Sequence, residues 1–226
     1  DCNNMLRSQG FKTTDREVFK ILSVTGGIPW YIEQMNPKKT ADENIQRHCF
    51  TKGAVLTEDF ELIFHELFVK RDEIYKKIIA ALSQSSLDYR AISEKTHYAR
   101  SGRLTEYLED LVKAGFIKKD QAWSLKSGRT LDLYQYRLSD NYLRFYLKYI
   151  APKKAHIEQN RISNISMSSF PGFESIMGLQ FENLVVNNRH EIYRVLGIRP
   201  EDVLYDNPYS QSNTKAQSGV QIDFLI

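Results

Sequence analysis

The chain has 226 residues, 42% of them hydrophobic and 26% charged, so it is long enough to bury a real core. No apolar run approaches the ~18 residues a spanning helix needs, which excludes a membrane segment. A net charge of +3 is too small to draw a polyanion by itself, so any nucleic-acid surface has to be a local concentration of charge.

Taken in order, "TDRE" at 14–17 is a capping box in which Thr14 accepts from the Glu17 amide and Glu17 reaches back. The helix it opens, with Val18, Phe19 and Leu22 on one face, ends at Gly26-Gly27, and Pro29 suits the first turn of the next short helix. A second box, "TADE" at 40–43, starts a helix that turns Ile45 and Cys49 inward. "TEDFELIFHELF", 57–68, is amphipathic, and residues 1–68 read as one small all-helical unit.

From 69 to 150 the pattern changes. "RDEIYKKIIAALSQSS" sets Ile74, Ile78 and Leu82 at steps of four. A short helix, "YRAISEKTH", follows a Ser-rich break. "RSGRLTEYLEDLVKAG" then puts Leu104, Leu108, Leu111 and Val112 on one stripe, with Gly115 closing it. Two strands, "FIKK" and "LYQYRLS", flank the turn-like "LKSGRT". Helix, short helix, helix and hairpin is the order of a winged helix-turn-helix. The aromatic helix "DNYLRFYLKYI" at 140–150 is expected to pack Tyr142, Phe145, Tyr146 and Tyr149 against that wing and its neighbours as core, not as a base-stacking platform.

Residues 151–172 read as a polar linker. From 173 a long helix, "ESIMGLQFENLVVNNRHEIYRVLG", leads to strand-like sequence ending in "SGVQIDFLI", where Val220, Ile222, Phe224 and Ile226 alternate like a buried face. The fold class expected is mainly α, with a truncated α/β domain at 173–226. Beginning without Met and ending inside a strand pattern, the chain reads as an excerpt of a longer protein.

Little of this carries an obvious catalytic motif. There is no Gly-x-x-x-x-Gly-Lys-Ser/Thr loop or dinucleotide loop, and Gly26-Gly27 is better explained as a tight turn than as a phosphate cradle. The five histidines form no zinc pair. Cys2 and Cys49 lack metal spacing and any disulfide framework; with no signal peptide, this points to a reducing cytoplasmic setting.

Charge is concentrated in one place. Residues 95–130 hold eight Lys or Arg against four acids, a local +4. Arg100, Ser101 and Arg103 open the third helix of the winged-helix pattern, and Lys126 and Arg129 lie on its wing, where DNA contacts are made in such folds. A solvated face used for protein contacts is the alternative. A second constellation is carboxylic: Glu182 on the long helix and Asp223 in the final strand come from separate elements, as a Mg²⁺ site for phosphodiester cleavage requires. On spacing alone, a water-exposed Asp at a strand end is the better explanation of Asp223.

The order of "TGGIPWYIEQM", "FELIFHELF", the winged-helix region, "YRLSDNYLRFYLKYI", "GLQFENLVVNNRHEIYRVLGI" and "GVQIDFLI" resembles the C-terminal half of prokaryotic AAA-class ATPases of the archaeal type. The resemblance covers nearly the whole chain. It implies a helical lid (1–68), a winged helix (69–150), a linker (151–172) and a restriction-endonuclease-like domain (173–226), with Glu182 and Asp223 matching two acids of an incomplete Mg²⁺ site. It also implies that ATP and Mg²⁺ belong to a core preceding this stretch and that DNA is the partner. A non-enzymatic protein-interaction module is the competing expectation.

Overall fold

A computed structural model of the chain describes residues 2–67, 72–162, 166–211 and 218–226. In chain order the elements are α1 (Cys2–Ser8), α2 (Asp15–Thr25), α3 (Pro29–Glu33), α4 (Ala41–Cys49), α5 (Val55–Leu67), α6 (Asp72–Leu82), β1 (Leu87–Asp88), α7 (Tyr89–Thr96), α8 (Gly102–Lys113), β2 (Ile117–Ser124), β3 (Arg129–Leu138), α9 (Asn141–Phe145), α10 (Lys154–Glu158), α11 (Phe173–Asn187), α12 (Arg189–Leu196), β4 (Tyr209–Gln211) and β5 (Val220–Ile222). The protein is mainly helical, and no helix among the described residues is long and apolar enough to cross a membrane. Phe68 and Arg71, where one helix was expected to end and the next to begin, lie outside the described residues.

Two compact units form. One comprises Asp1–Gln84 with Asp140–Met177, the other Ser85–Ser139 with Gly178–Ile226. These units are interleaved along the chain and do not follow the 1–68, 69–150 and 173–226 divisions.

The first unit is built on caps and rings. Thr40 and Glu43 form the full reciprocal box ahead of α4. Ahead of α2 only half of the box forms: Thr14 accepts from the Glu17 amide at 3.4 Å. The Glu17 carboxylate instead takes the Ala41 amide at 2.8 Å and Lys20 at 3.1 Å. Satisfying an orphan amide at the start of α4 is a better use of that acid than closing its own cap. Gly26 ends α2 in the left-handed region at φ 65°, as the tight-turn reading of Gly26-Gly27 expects.

Ile45, Cys49, Ile21, Val24 and Leu56 are buried. The rings expected to pack as core on the wing and its neighbours are core residues, with ring partners in this unit. Tyr31 meets Tyr142, Phe50 meets Phe145 and Phe170, and Phe60 stacks on Tyr146 at 4.2 Å. The Tyr142 hydroxyl donates to the Leu56 carbonyl at 3.1 Å. Large aromatic surfaces go where enough apolar partners converge, and the helical unit offers them. The helix continues past α9 as a π-turn (Tyr146–Ile150). The stretch expected to be a polar linker carries α10, with Ile157, Met167 and Phe170 buried; three spaced apolar residues suffice to pin it.

In the second unit β1, β3 and β2 form an antiparallel sheet in that order. The two-residue β1, paired through Leu87 to Tyr136 and Asp88 to Gln135, has no expected counterpart. The hairpin strands are longer than "FIKK" and "LYQYRLS". Leu104, Leu108 and Leu111 of α8 are buried as their stripe requires. Gly115 closes α8 at φ 82°, its amide bonding the Val112 carbonyl and that of Phe116 the Leu111 carbonyl. The single long helix expected after 173 is two, because Asn188 breaks it and turns its side-chain amide back to the Leu184 carbonyl at 2.7 Å. The alternation at 220–226 is not a buried face: Val220 and Ile226 are 45% and 43% exposed, and the strand ends at Ile222.

Candidate nucleic-acid interface

The basic residues of the second unit are held by a rigid local frame. Ser101 caps α8, its hydroxyl accepting from the Leu104 amide. Its backbone is clamped by the Tyr89 hydroxyl, which accepts from the Ser101 amide at 3.0 Å and donates to its carbonyl at 2.9 Å. Tyr89 opens α7, so this phenol fixes the start of one helix against the start of the next. Arg100 and Arg103, on either side of that clamp, are exposed. Arg103 hydrogen-bonds the Tyr98 phenol, which also bonds Tyr107. The role of Tyr89 is not legible in the sequence; a tyrosine 12 positions before a cap carries no local signal.

The turn between β2 and β3 is braced in the same way. Gly128, at φ 60°, returns its amide to the Ser124 carbonyl at 2.8 Å, and the Tyr205 hydroxyl donates to the Gly128 carbonyl at 3.1 Å. Tyr205 also stacks on Trp123 at 4.8 Å, and Asn207 donates to the Gln121 carbonyl. Lys126 and Arg129 therefore stand exposed on a held turn. Arg100, Lys126 and Arg129 make no ion pair among the described residues. On β2, Lys118 is exposed and Lys119 lies over the Tyr134 ring at 4.1 Å.

The same unit holds a buried polar network. Arg137 pairs with Asp120 at 2.8 Å, the two side chains being 8% and 11% exposed. Its other nitrogens donate to Asn183 at 2.7 Å and Asn187 at 3.4 Å, and Asn183 donates to the Leu138 carbonyl at 2.9 Å. The asparagines of α11 thus dock on β3. Further along, Asp206 accepts from Arg189 at 2.7 Å and from Tyr193; burial and that bond push the Tyr193 phenol up to about 12.

The two expected metal carboxylates are placed as follows. Glu182 is half-buried on α11, next to the docked Asn183. Asp223 is exposed in a bend just after β5, with Gln221 donating to it at 3.5 Å. No group of three or more His, Cys, Asp or Glu that could hold a metal ion occurs among the described residues.

No protein-family profile matches the chain, and no solved structure matches it. It is similar to an uncharacterized protein of Methanocaldococcus jannaschii, 25% identical over 147 residues that make up 63% of this chain. The aligned stretch is 31% of the length of that relative.

Proposed function

We propose that the second unit carries a winged helix that contacts DNA, within the C-terminal half of an AAA-class ATPase of the archaeal type. ATP and Mg²⁺ would be handled by a core outside these residues, since this chain has no phosphate-cradling loop. The observation that carries the reading is the order β1, α7, α8, β2, β3, closing into one antiparallel sheet β1-β3-β2. Arg100, Arg103, Lys126 and Arg129 lie exposed at the two places where such folds meet DNA. Residues free of acidic partners give up no ion pair when a phosphate arrives, and each phosphate bound releases condensed counterions.

The test is duplex binding by the purified chain against salt concentration. Replacing Arg100 and Arg103 with Ala weakens binding and lowers the log–log salt slope by roughly one for each phosphate no longer bound. An unchanged slope assigns this face to protein contacts instead.

A further inference from the structure

Resting on the DNA-contact reading above, we infer that Tyr205 is a positioning residue for the hairpin turn, holding Lys126 and Arg129 in place before a duplex arrives. The outer part of the hairpin has little support of its own. β1 pairs only with Gln135 and Tyr136, so from Trp123 to Thr130 the ribbon is two strands joined by a turn. Such a ribbon is marginal in water without a third strand or a packed face. Its register also breaks between Gln121 and Trp123, and a break of this kind bends a ribbon and changes where its tip points. The two cations are at that tip, exposed, in a turn where Gly128 takes φ 60°.

The support comes from the segment that leads into β4. The Tyr205 ring stacks on Trp123 at 4.8 Å and its hydroxyl donates to the Gly128 carbonyl at 3.1 Å, so one side chain grips both the end of β2 and the turn. Tyr209 meets the Trp123 ring edge-on at 5.9 Å. At the register break Asn207 donates to the Gln121 carbonyl at 3.3 Å, and the Gln121 side chain donates to the Leu131 carbonyl at 3.0 Å. Tyr205, Asn207 and Tyr209 thus brace the hairpin from the break outward, and Tyr205 is the member that reaches the turn bearing the cations. None of the three is basic, so any effect on phosphate binding runs through Lys126 and Arg129. A turn already ordered gives up less entropy when its side chains settle on phosphates; each side chain left to be immobilised costs about 2- to 10-fold in affinity.

The experiment is a double-mutant cycle on the binding of one labelled duplex by the purified 226-residue chain, read by anisotropy. Tyr205→Ala should weaken binding roughly 10-fold with Lys126 and Arg129 present, and not measurably once both are Ala. Tyr205→Phe keeps the ring on Trp123 and removes only the hydroxyl. It should lose about 2-fold with the same dependence on the two cations, and it decides the matter if the Ala variant fails to fold. A tyrosine with a purely structural role gives equal losses in the two backgrounds. That result, or no loss from either variant, overturns the inference and leaves DNA contact standing. If the chain binds duplex and removing Lys126 and Arg129 changes nothing, the inference falls while contact through Arg100 and Arg103 stands. Absence of duplex binding overturns both.

Discussion

The polar network around Arg137 gives the sharpest energetic prediction. Arg137→Met keeps much of the volume of the side chain but removes the cation from a site where Arg137 is 8% and Asp120 11% exposed. Asp120 is then left charged and nearly dry, the Asn183 side-chain oxygen is deprived of its donor at 2.7 Å, and that of Asn187 of a weaker one at 3.4 Å. Breaking a buried pair on one side costs about 3–5 kcal/mol, most of it the penalty on the stranded partner. With a urea slope of roughly 1–3 kcal/mol per molar, the midpoint for the second unit falls by at least ~1 M. The two tryptophans make the assay specific: Trp123 belongs to this unit, and Trp30, 47% exposed, can be replaced by Phe at little cost. Trp123 fluorescence in the Trp30→Phe background then reports this unit alone. Adding Asp120→Leu to Arg137→Met removes the stranded charge and recovers more than half of the loss. A single variant that loses under ~1 kcal/mol, or a double no better than the single, refutes the argument.

Three further outcomes concern the first unit. His48 is buried, bonded through its ring to the Gln34 backbone, with Nε2 lacking a partner. Burial first, and then Arg47, lower its pKa below 6.5. The unfolded chain therefore binds the proton more readily, and stability is full above pH ~6.5 and lost as pH falls from there toward the folded value; His48→Gln should flatten that acid limb in thermal unfolding followed by Trp30. Gly26→Ala places a side chain at φ 65°, and its Cβ meets only ordinary contacts, the nearest being the Tyr142 amide at 3.4 Å. The cost is thus backbone strain of about 1–2 kcal/mol, read as a lowered urea midpoint. Tyr142→Phe deletes a buried bond to Leu56 and costs about 1–2 kcal/mol; a change within experimental error would show that the hydroxyl is not needed there.

What could be read from sequence was what the chain decides locally. The Thr40–Glu43 box, the Leu stripe of α8 and the turn at Gly115 all depend on residues within a few positions of one another, and all are present. Readings that required a distant partner were less secure. Tyr142, Phe145, Tyr146 and Tyr149 are core, as an aromatic stripe implies, but their partners are Tyr31, Phe50, Phe60 and Phe170. Proximity in sequence suggests the hairpin that ends at Leu138, and periodicity contains nothing to prefer rings from the far end of the helical unit. Strand β1 leaves no trace in the pattern because two residues cannot display a period.

The candidate site divides in the same way. Arg100, Ser101, Arg103, Lys126 and Arg129 were legible because a cap, a helix start and a turn after a known run each have a local signature. Arg137 was not. In β3 it alternates with Tyr136 and Leu138, so a period of two assigns it to the wet face of the sheet. Yet Tyr136, Arg137 and Leu138 are all buried, because α11 brings Asn183 and Asn187 to Arg137. Once both faces of a strand end are covered, alternation no longer distinguishes inside from outside, and a buried cation has to be paired from both sides. The same logic runs the other way at residue 223. An acid among apolar residues suggests a metal or a counter-ion, because burial of a bare carboxylate is costly. The strand stops at Ile222, Asp223 lies in water and Val220 beside it is exposed. That carboxylate is hydrated, whereas Asp120, unremarkable in the sequence, is the acid buried against a cation.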